Sequence, residues 1–389
     1  MAAIGGIFNI DGAECSADVL AGMSRAMSFR GGHRRTAYVN GFGGLFSGEG
    51  ATEQSANAHL PRSASVNGKN VTLVFDGKIF PEGEETAGAL PFFGEDGGEF
   101  ALECYLKYGA SMAEHFSGEF AIAIYDEERA HILLLRDTVG SCPLYCTREE
   151  NRVCFSSEIK GLASATLTPL TVERQKLRAH IFSPCEDRGG KLYQGIWELA
   201  PRGGCIVSRL GISAFTYEPM PANRGKAPRQ TAKSGFICPD EDGMKRLLTE
   251  IVFAFDYPQF DILMPTFIHD LIRIKDRGLE YTAAVPDGSL CMNIPYSSAR
   301  RDRLGVLTGS RPVCVPPEGV IYRERDAKKT ENVIKALLSD TDREALCHIF
   351  GNGWQEDLAR EKNTAKRIRS AAMMLQSVFW YEKYNIMLV

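Results

Sequence analysis

The carboxylates are the first candidates for chemistry. Asp256, Pro258 and Asp261 form an Asp-x-Pro-x-x-Asp stretch, and Asp287 follows within Val285-Pro286-Asp287-Gly288. Asp256, Asp261 and Asp287 offer hard oxygen ligands of the kind magnesium takes. Their plainer reading is as turn and helix-cap residues. The eleven cysteines and seven histidines are scattered. There is no CxxC pair; Cys142 and Cys146, in Cys-Pro-Leu-Tyr-Cys, come closest and sit in a strand-like context. The thiols therefore read as reduced and mostly buried, not as a disulfide or metal set, and no metal is expected. Neither GxxxxGK[ST] nor GxGxxG occurs, and Asn67-Gly68-Lys69-Asn70 reads as a turn. The opening Met-Ala-Ala-Ile-Gly-Gly-Ile-Phe-Asn-Ile-Asp-Gly is an apolar strand running into a turn, with no nucleophile in it; Cys15 comes only after the turn.

Several kinds of element must position any such residues. The first half is dense in short β signals. Asn70 to Phe80 alternates apolar and polar residues through Asp76-Gly77, a hairpin cue. Two strands flank a polar turn from Asp126 to Arg129, and Arg152 onward gives another strand. Phe100, Leu102, Tyr105 and Leu106 mark a helix that stops at Gly109. Strands in hairpins with few helices argue an α+β fold with antiparallel sheets. From about 222 to 240 the chain is rich in Pro, Gly, Lys and Arg and reads as a linker. Beyond it, four segments carry helix-spaced apolar residues. The tract Arg360 to Ser370 reads as the wet face of a helix. With 389 residues, 44% of them hydrophobic, and a net charge of −4, the chain has ample core and no dedicated nucleic-acid surface. No basic leader and no apolar run of membrane length is present, so no membrane partner and a cytoplasmic location are expected.

The order of motifs resembles the N-terminal glutaminase domain of asparagine synthetases, a class II glutamine amidotransferase domain. Gly118, Phe120, Ala121 and Asp126 are followed by Arg136, Asp137, Gly140, Pro143, Leu144 and Tyr145. Phe155, Ser157, Glu158, Ile159 and Lys160 complete the pattern. The resemblance covers residues 1–221. It implies an αββα sandwich of the N-terminal-nucleophile type over 1–221, a linker at 222–240, and a reduced, mainly helical remnant of an α/β synthetase domain over 241–389.

That family's chemistry makes definite demands. A cysteine at the mature N-terminus attacks glutamine, and its α-amine, titrating near ~7.7–8.0, acts as base. An Asn side chain and a Gly N–H hold the oxyanion. An Arg and an Asp hold the carboxylate and amine of glutamine. Carried over, the nucleophile falls on Ala2, which has no heteroatom. The oxyanion pair falls on Asp76 and Gly77, and an ionised Asp76 has no donor to offer. The substrate arginine falls on Phe46, or on Leu45. The substrate aspartate falls on Gly97, and a one-residue slip makes it Asp96. Of the family's His-Arg-Gly-Pro-Asp only Arg30-Gly31 is kept. No glutaminase activity is expected. Loss of a nucleophile alone costs about 10⁶ in rate where the residues act as a unit.

The second half lacks the family's Ser-Gly-Gly-x-Asp-Ser phosphate loop, whose backbone N–H groups would hold pyrophosphate. Asp256, Pro258 and Asp261 resemble a later part of the synthetase domain, and the chain stops where the family runs on. The expectation is a non-catalytic binding or regulatory protein, or a subunit completed by a protein partner or a second copy, with no cofactor. The alternative is an ATP-dependent amide-bond-forming enzyme that does not use glutamine, with Asp256, Asp261 and Asp287 as magnesium ligands.

Overall fold

The opening strand, β1 (Ala2–Asn9), is buried along nearly its whole length. It lies inside a six-stranded sheet, between β3 (Gly43–Glu49) and β9 (Arg152–Ser156), pairing antiparallel with both. The computed structural model describes residues 2–32, 34–49, 61–81, 97–182, 192–218, 238–260 and 324–389, with isolated positions between 264 and 314. The chain clusters into two units, Met1–Leu167 with Gly195–Gly225, and Thr168–Gln194 with Lys226–Val389. The stretch 168–194, expected in the first domain, therefore groups with the C-terminal residues. The expected linker lies almost entirely outside the described residues.

Unit one holds two antiparallel six-stranded sheets. The first runs β11 (Ile196–Glu198), β8 (Tyr145–Glu149), β9, β1, β3, β2 (Arg34–Asn40). The second runs β13 (Gly211–Thr216), β12 (Gly203–Ser208), β7 (His131–Arg136), β6 (Phe116–Asp126), β5 (Lys69–Pro81), β4 (Arg62–Val66). Ala2, Ile4, Phe8, Leu45, Ala123, Leu134 and Phe155 pack in one core cluster contributed by both sheets. A separate cluster joins Leu73, Phe75, Ile122, Ile124 and Leu135 to Phe100 and Tyr105 of the helix Gly97–Tyr108. Helices Ala17–Ala26 and Ile159–Ala163 pack on strands of the first sheet. The layers are thus helix, sheet, sheet, helix, the expected α+β sandwich. Covered on both faces, the strands read as continuous apolar runs such as Ile132-Leu133-Leu134-Leu135 instead of alternating ones.

Three local readings are sharpened. The turn at Asn67-Gly68 is real, both residues having positive φ (51° and 77°). Asp76-Gly77 is no turn: β5 continues through it, paired with β6 from Val71 to Pro81. Gly77 is needed there because its φ is +119° and a Cβ would sit 1.9 Å from the Glu119 carbonyl oxygen. The helix over 97–108 stops at Gly109, φ +62°, as its sequence predicts.

Unit two is mainly helical among its described residues, with Glu241–Phe255, Glu324–Asp340, Arg343–Phe350 and Thr364–Lys383. A short strand, Leu170–Val172, pairs in parallel with Ile386–Leu388. The basic tract 360–370 is not uniformly wet. Asn363 caps the helix Thr364–Lys383 by accepting from the Lys366 N–H, and Arg369 is buried, donating to the carbonyls of Ile181 and His180 at 3.2 and 3.3 Å. The long alkyl stem and five donors of an arginine let one charged residue face inward when carbonyls wait for it.

Candidate functional site

Ala2 opens β1 in mid-sheet, and its methyl lies in the core cluster between strands. Its N–H donates to Asp76 Oδ1 at 2.7 Å. Arg30 reaches the same point from the one-turn helix Ser28–Gly31. Arg30 Nε donates to the Ala2 carbonyl at 2.7 Å and Nη2 to Asp76 Oδ2 at 2.5 Å. The turn can approach because Gly31 meets β3 at Gly48, where a Cβ would stand 2.3 Å from the Gly48 carbonyl oxygen. A second pair stands behind the first: Glu158 Oε1 lies 3.9 Å from Arg30 Nη1, and Lys160 Nζ is 2.6 Å from Glu158 Oε2. Both follow β9, which Ser157 locks to β1 through the Ile4 N–H at 3.0 Å.

These charges are buried: the side chains of Arg30 and Asp76 are fully inaccessible, and Glu158 and Lys160 nearly so. Two acids balance two bases, which is the condition for keeping ions out of water. The bonds are charge-assisted and correspondingly strong. An ionised carboxylate accepts and cannot donate, and both oxygens of Asp76 are engaged.

The β register places the remaining expected positions relative to Ala2. Phe46 pairs with Gly5, three residues along from Ala2. Alternation puts Phe46 on the opposite face of the sheet. The β3 residue opposite Ala2 is Glu49, buried, and Arg34 of β2 is paired with it in turn. Leu45 faces Ala2's side of the sheet but pairs with Gly6. Gly97 begins its helix, with the Ile79 Cβ 3.1 Å from where its own Cβ would be. Asp96 lies outside the described residues. In the sequence Arg30, Glu158 and Lys160 stand out only as separate motif residues, and nothing there shows that they meet. The available signal was charge: four ionisable residues in otherwise apolar strands and turns.

In unit two, Asp256 caps the helix Glu241–Phe255 in the left-handed region, φ 63°. Its carboxylate accepts from Tyr384 Oη at 2.8 Å. Its carbonyl accepts from Trp380 Nε1 at 3.0 Å and from the Tyr193 hydroxyl. This is a buried helix-end brace. Asp261 and Asp287 lie outside the described residues. Among the described residues no cluster of His, Cys, Asp and Glu could hold a metal. Cys142 and Cys146 are buried free thiols. Burial pushes the thiols of Cys15 and Cys205 up to about 11 and those of Cys104 and Cys154 up to about 12. No described helix is long and apolar enough to cross a membrane.

The sequence profile of the glutamine amidotransferase domain family matches residues 1–218. The chain belongs to that family. Among its relatives are two Bacillus subtilis proteins, glutamine-hydrolysing asparagine synthetases 3 and 2. The first is 26% identical over 48% of this chain, the second 28% identical over 42%. The chain covers 29% and 22% of their respective lengths. The amidase chry2 of Gibberella zeae is 33% identical over 22% of this chain and 13% of its own. The solved structure of the allosteric regulatory enzyme of purine biosynthesis aligns over 84% of this chain and 69% of that one, at 11% identity and a TM-score of 0.43. Residues 1–218 are thus an asparagine-synthetase-like class II glutamine amidotransferase domain, with Ala2, Asp76 and Arg30 meeting at the head of its first strand.

Proposed function

We propose that this glutamine amidotransferase domain is non-catalytic and that the chain serves as a binding or regulatory protein, or as a subunit completed by a partner. One observation carries the reading. Asp76, at the position of the oxyanion donor, is held by the Ala2 N–H and by Arg30. The acid is thereby part of the fold, and no nucleophile stands at residue 2. Glu49 in the row beside Ala2 adds a charge that repels the carboxylate of glutamine. Asp256, committed to Tyr384, is accounted for without magnesium.

The test is direct. The purified chain is assayed for ammonia release from glutamine and for ATP–pyrophosphate exchange, and titrated calorimetrically with each compound. No turnover and no heat are expected. Ammonia release refutes the reading of the glutamine site. Pyrophosphate exchange instead establishes the ATP-dependent amide-forming alternative.

A further inference from the structure

The first sheet ends at β2, and that end is exposed. Every residue of Arg34–Asn40 except Tyr38 is solvent-exposed, and among the described residues the strand is paired only with β3. At seven residues it is longer than the other edge strands, β11 with three, β4 with five and β13 with six. Proteins guard such edges with a proline, a bulge or a mid-strand charge, because an open row of N–H and C=O groups recruits another strand. Thr36-Ala37-Tyr38-Val39 carries no charge and no proline, and its register with β3 is unbroken from Arg34 to Asn40.

The charges sit instead at the two ends, with opposite sign. Arg34 and Arg35 open the strand. At the other end the side chain of Asn40 is hydrogen-bonded to Glu127. Glu127 also accepts from the Tyr38 hydroxyl and, at 3.1 Å, from the Asn70 N–H. Glu128 stands exposed beside it, accepting from Asn67. The edge is therefore basic at its start and acidic at its finish.

We propose that β2 pairs antiparallel with β2 of a second copy of this chain, about a two-fold axis at Ala37, to make one continuous sheet across a homodimer. In that register Ala37 meets its own counterpart, Arg35 meets Val39 and Arg34 meets Asn40. Each basic end then lies against the acidic end of the other copy, and no like charges are opposed. The contact is isologous, so it closes at two copies. Main-chain hydrogen bonds supply affinity, and the alkyl stem of Arg35 covers the exposed Val39.

The test uses charge at the axis. Ala37 is exposed and outside the Ala2–Arg30–Asp76 group, so Ala37→Lys and Ala37→Glu keep the fold, which circular dichroism checks. Sedimentation velocity is run on the full chain from about 1 to about 100 μM, the range of ordinary transient dimers. The wild type is expected to dimerise. Each variant alone places like charges face to face and weakens the dimer by about fivefold or more. An equimolar mixture of the two re-forms a one-to-one dimer. A wild type that stays monomeric throughout overturns the proposal. So does a dimer that neither variant weakens, or a mixture that fails to recover it.

Discussion

Asp76→Asn is the sharpest perturbation of the closed site, because it changes one atom and keeps the shape. Two donors converge on the carboxylate, the Ala2 N–H at 2.7 Å and Arg30 Nη2 at 2.5 Å. An asparagine has one acceptor oxygen, so either way round its amide group faces a donor. It also leaves Arg30 buried without its nearest counter-charge. Removing one partner of a buried ion pair costs about 3–5 kcal/mol. Glu158, 3.9 Å from Arg30, keeps part of the compensation, which places the expected loss near the lower end, about 3 kcal/mol. That is about two orders of magnitude in the ratio of folded to unfolded unit one. Asp76→Asn combined with Arg30→Leu removes the orphaned charge and recovers a large part of the loss, giving a coupling of about 2 kcal/mol. Because the chain forms two units, a whole-chain melt mixes their transitions. Hydrogen exchange of peptides from β1 and β5 across a urea series reads unit one alone. The resemblance read from the sequence implies asparagine at this position. If residue 76 had merely drifted, the variant would be tolerated, and unchanged protection within about 0.5 kcal/mol would refute the ion-pair argument.

Other perturbations read neighbouring parts of the structure. Ala2→Cys releases no ammonia above background in a coupled glutamate assay, since Asp76 stays tied to Arg30 and Glu49 stays opposite residue 2. Gly77→Ala destabilises unit one by about 3 kcal/mol or more, because the new Cβ falls 1.9 Å from a carbonyl of β6 at φ +119°; loss of soluble protein or of β5 protection reports it. At pH 8 iodoacetamide mapping leaves Cys15, Cys104, Cys154 and Cys205 unlabelled in the native chain, since burial lifts all four thiols to about 11 or 12 and only the thiolate reacts. The same shifts set a sign for stability. The native state holds these protons more tightly than the unfolded chain, whose thiols titrate near the ordinary value of 9.0. Their contribution is therefore fully present below pH 9 and is lost as pH rises through 9 toward 11; urea midpoints at pH 7.5 and 10.5 check it.

The layers of unit one were legible because they rest on local signals. Apolar runs mark strands buried on both faces, Asn67-Gly68 marks a hairpin, and Gly109 ends a helix. The site was legible only in part. Ala2 and Asp76 could be placed by motif, since each lies inside a distinctive string. Phe46 sits in no such string, and its place opposite Gly5 is fixed by pairing over the whole of β1 and β3, which no short motif reports. Asp76-Gly77 looked like a turn for a related reason. The dipeptide suits a type I′ turn, but here the positive φ of Gly77 serves close approach to β6 within a continuous strand. Nor does a sequence show that Arg30, Asp76 and Glu158 converge, separated as they are by 46 residues for the first pair. The grouping of 168–194 with the C-terminal residues was not legible, because it rests on a parallel pairing with Ile386–Leu388 that leaves no local pattern, whereas the family match runs through the segment to residue 218.

The Arg30–Asp76 pair also makes the head of β1 resistant to piecemeal change. Cysteine at residue 2 would leave Asp76 engaged with Arg30. Asparagine at residue 76 alone strands a buried guanidinium, and loss of Arg30 alone strands a buried carboxylate. Each single substitution therefore lowers stability, and the pair tolerates exchange only when both members change together. Variation is absorbed more readily on the exposed faces of the same sandwich than at this point.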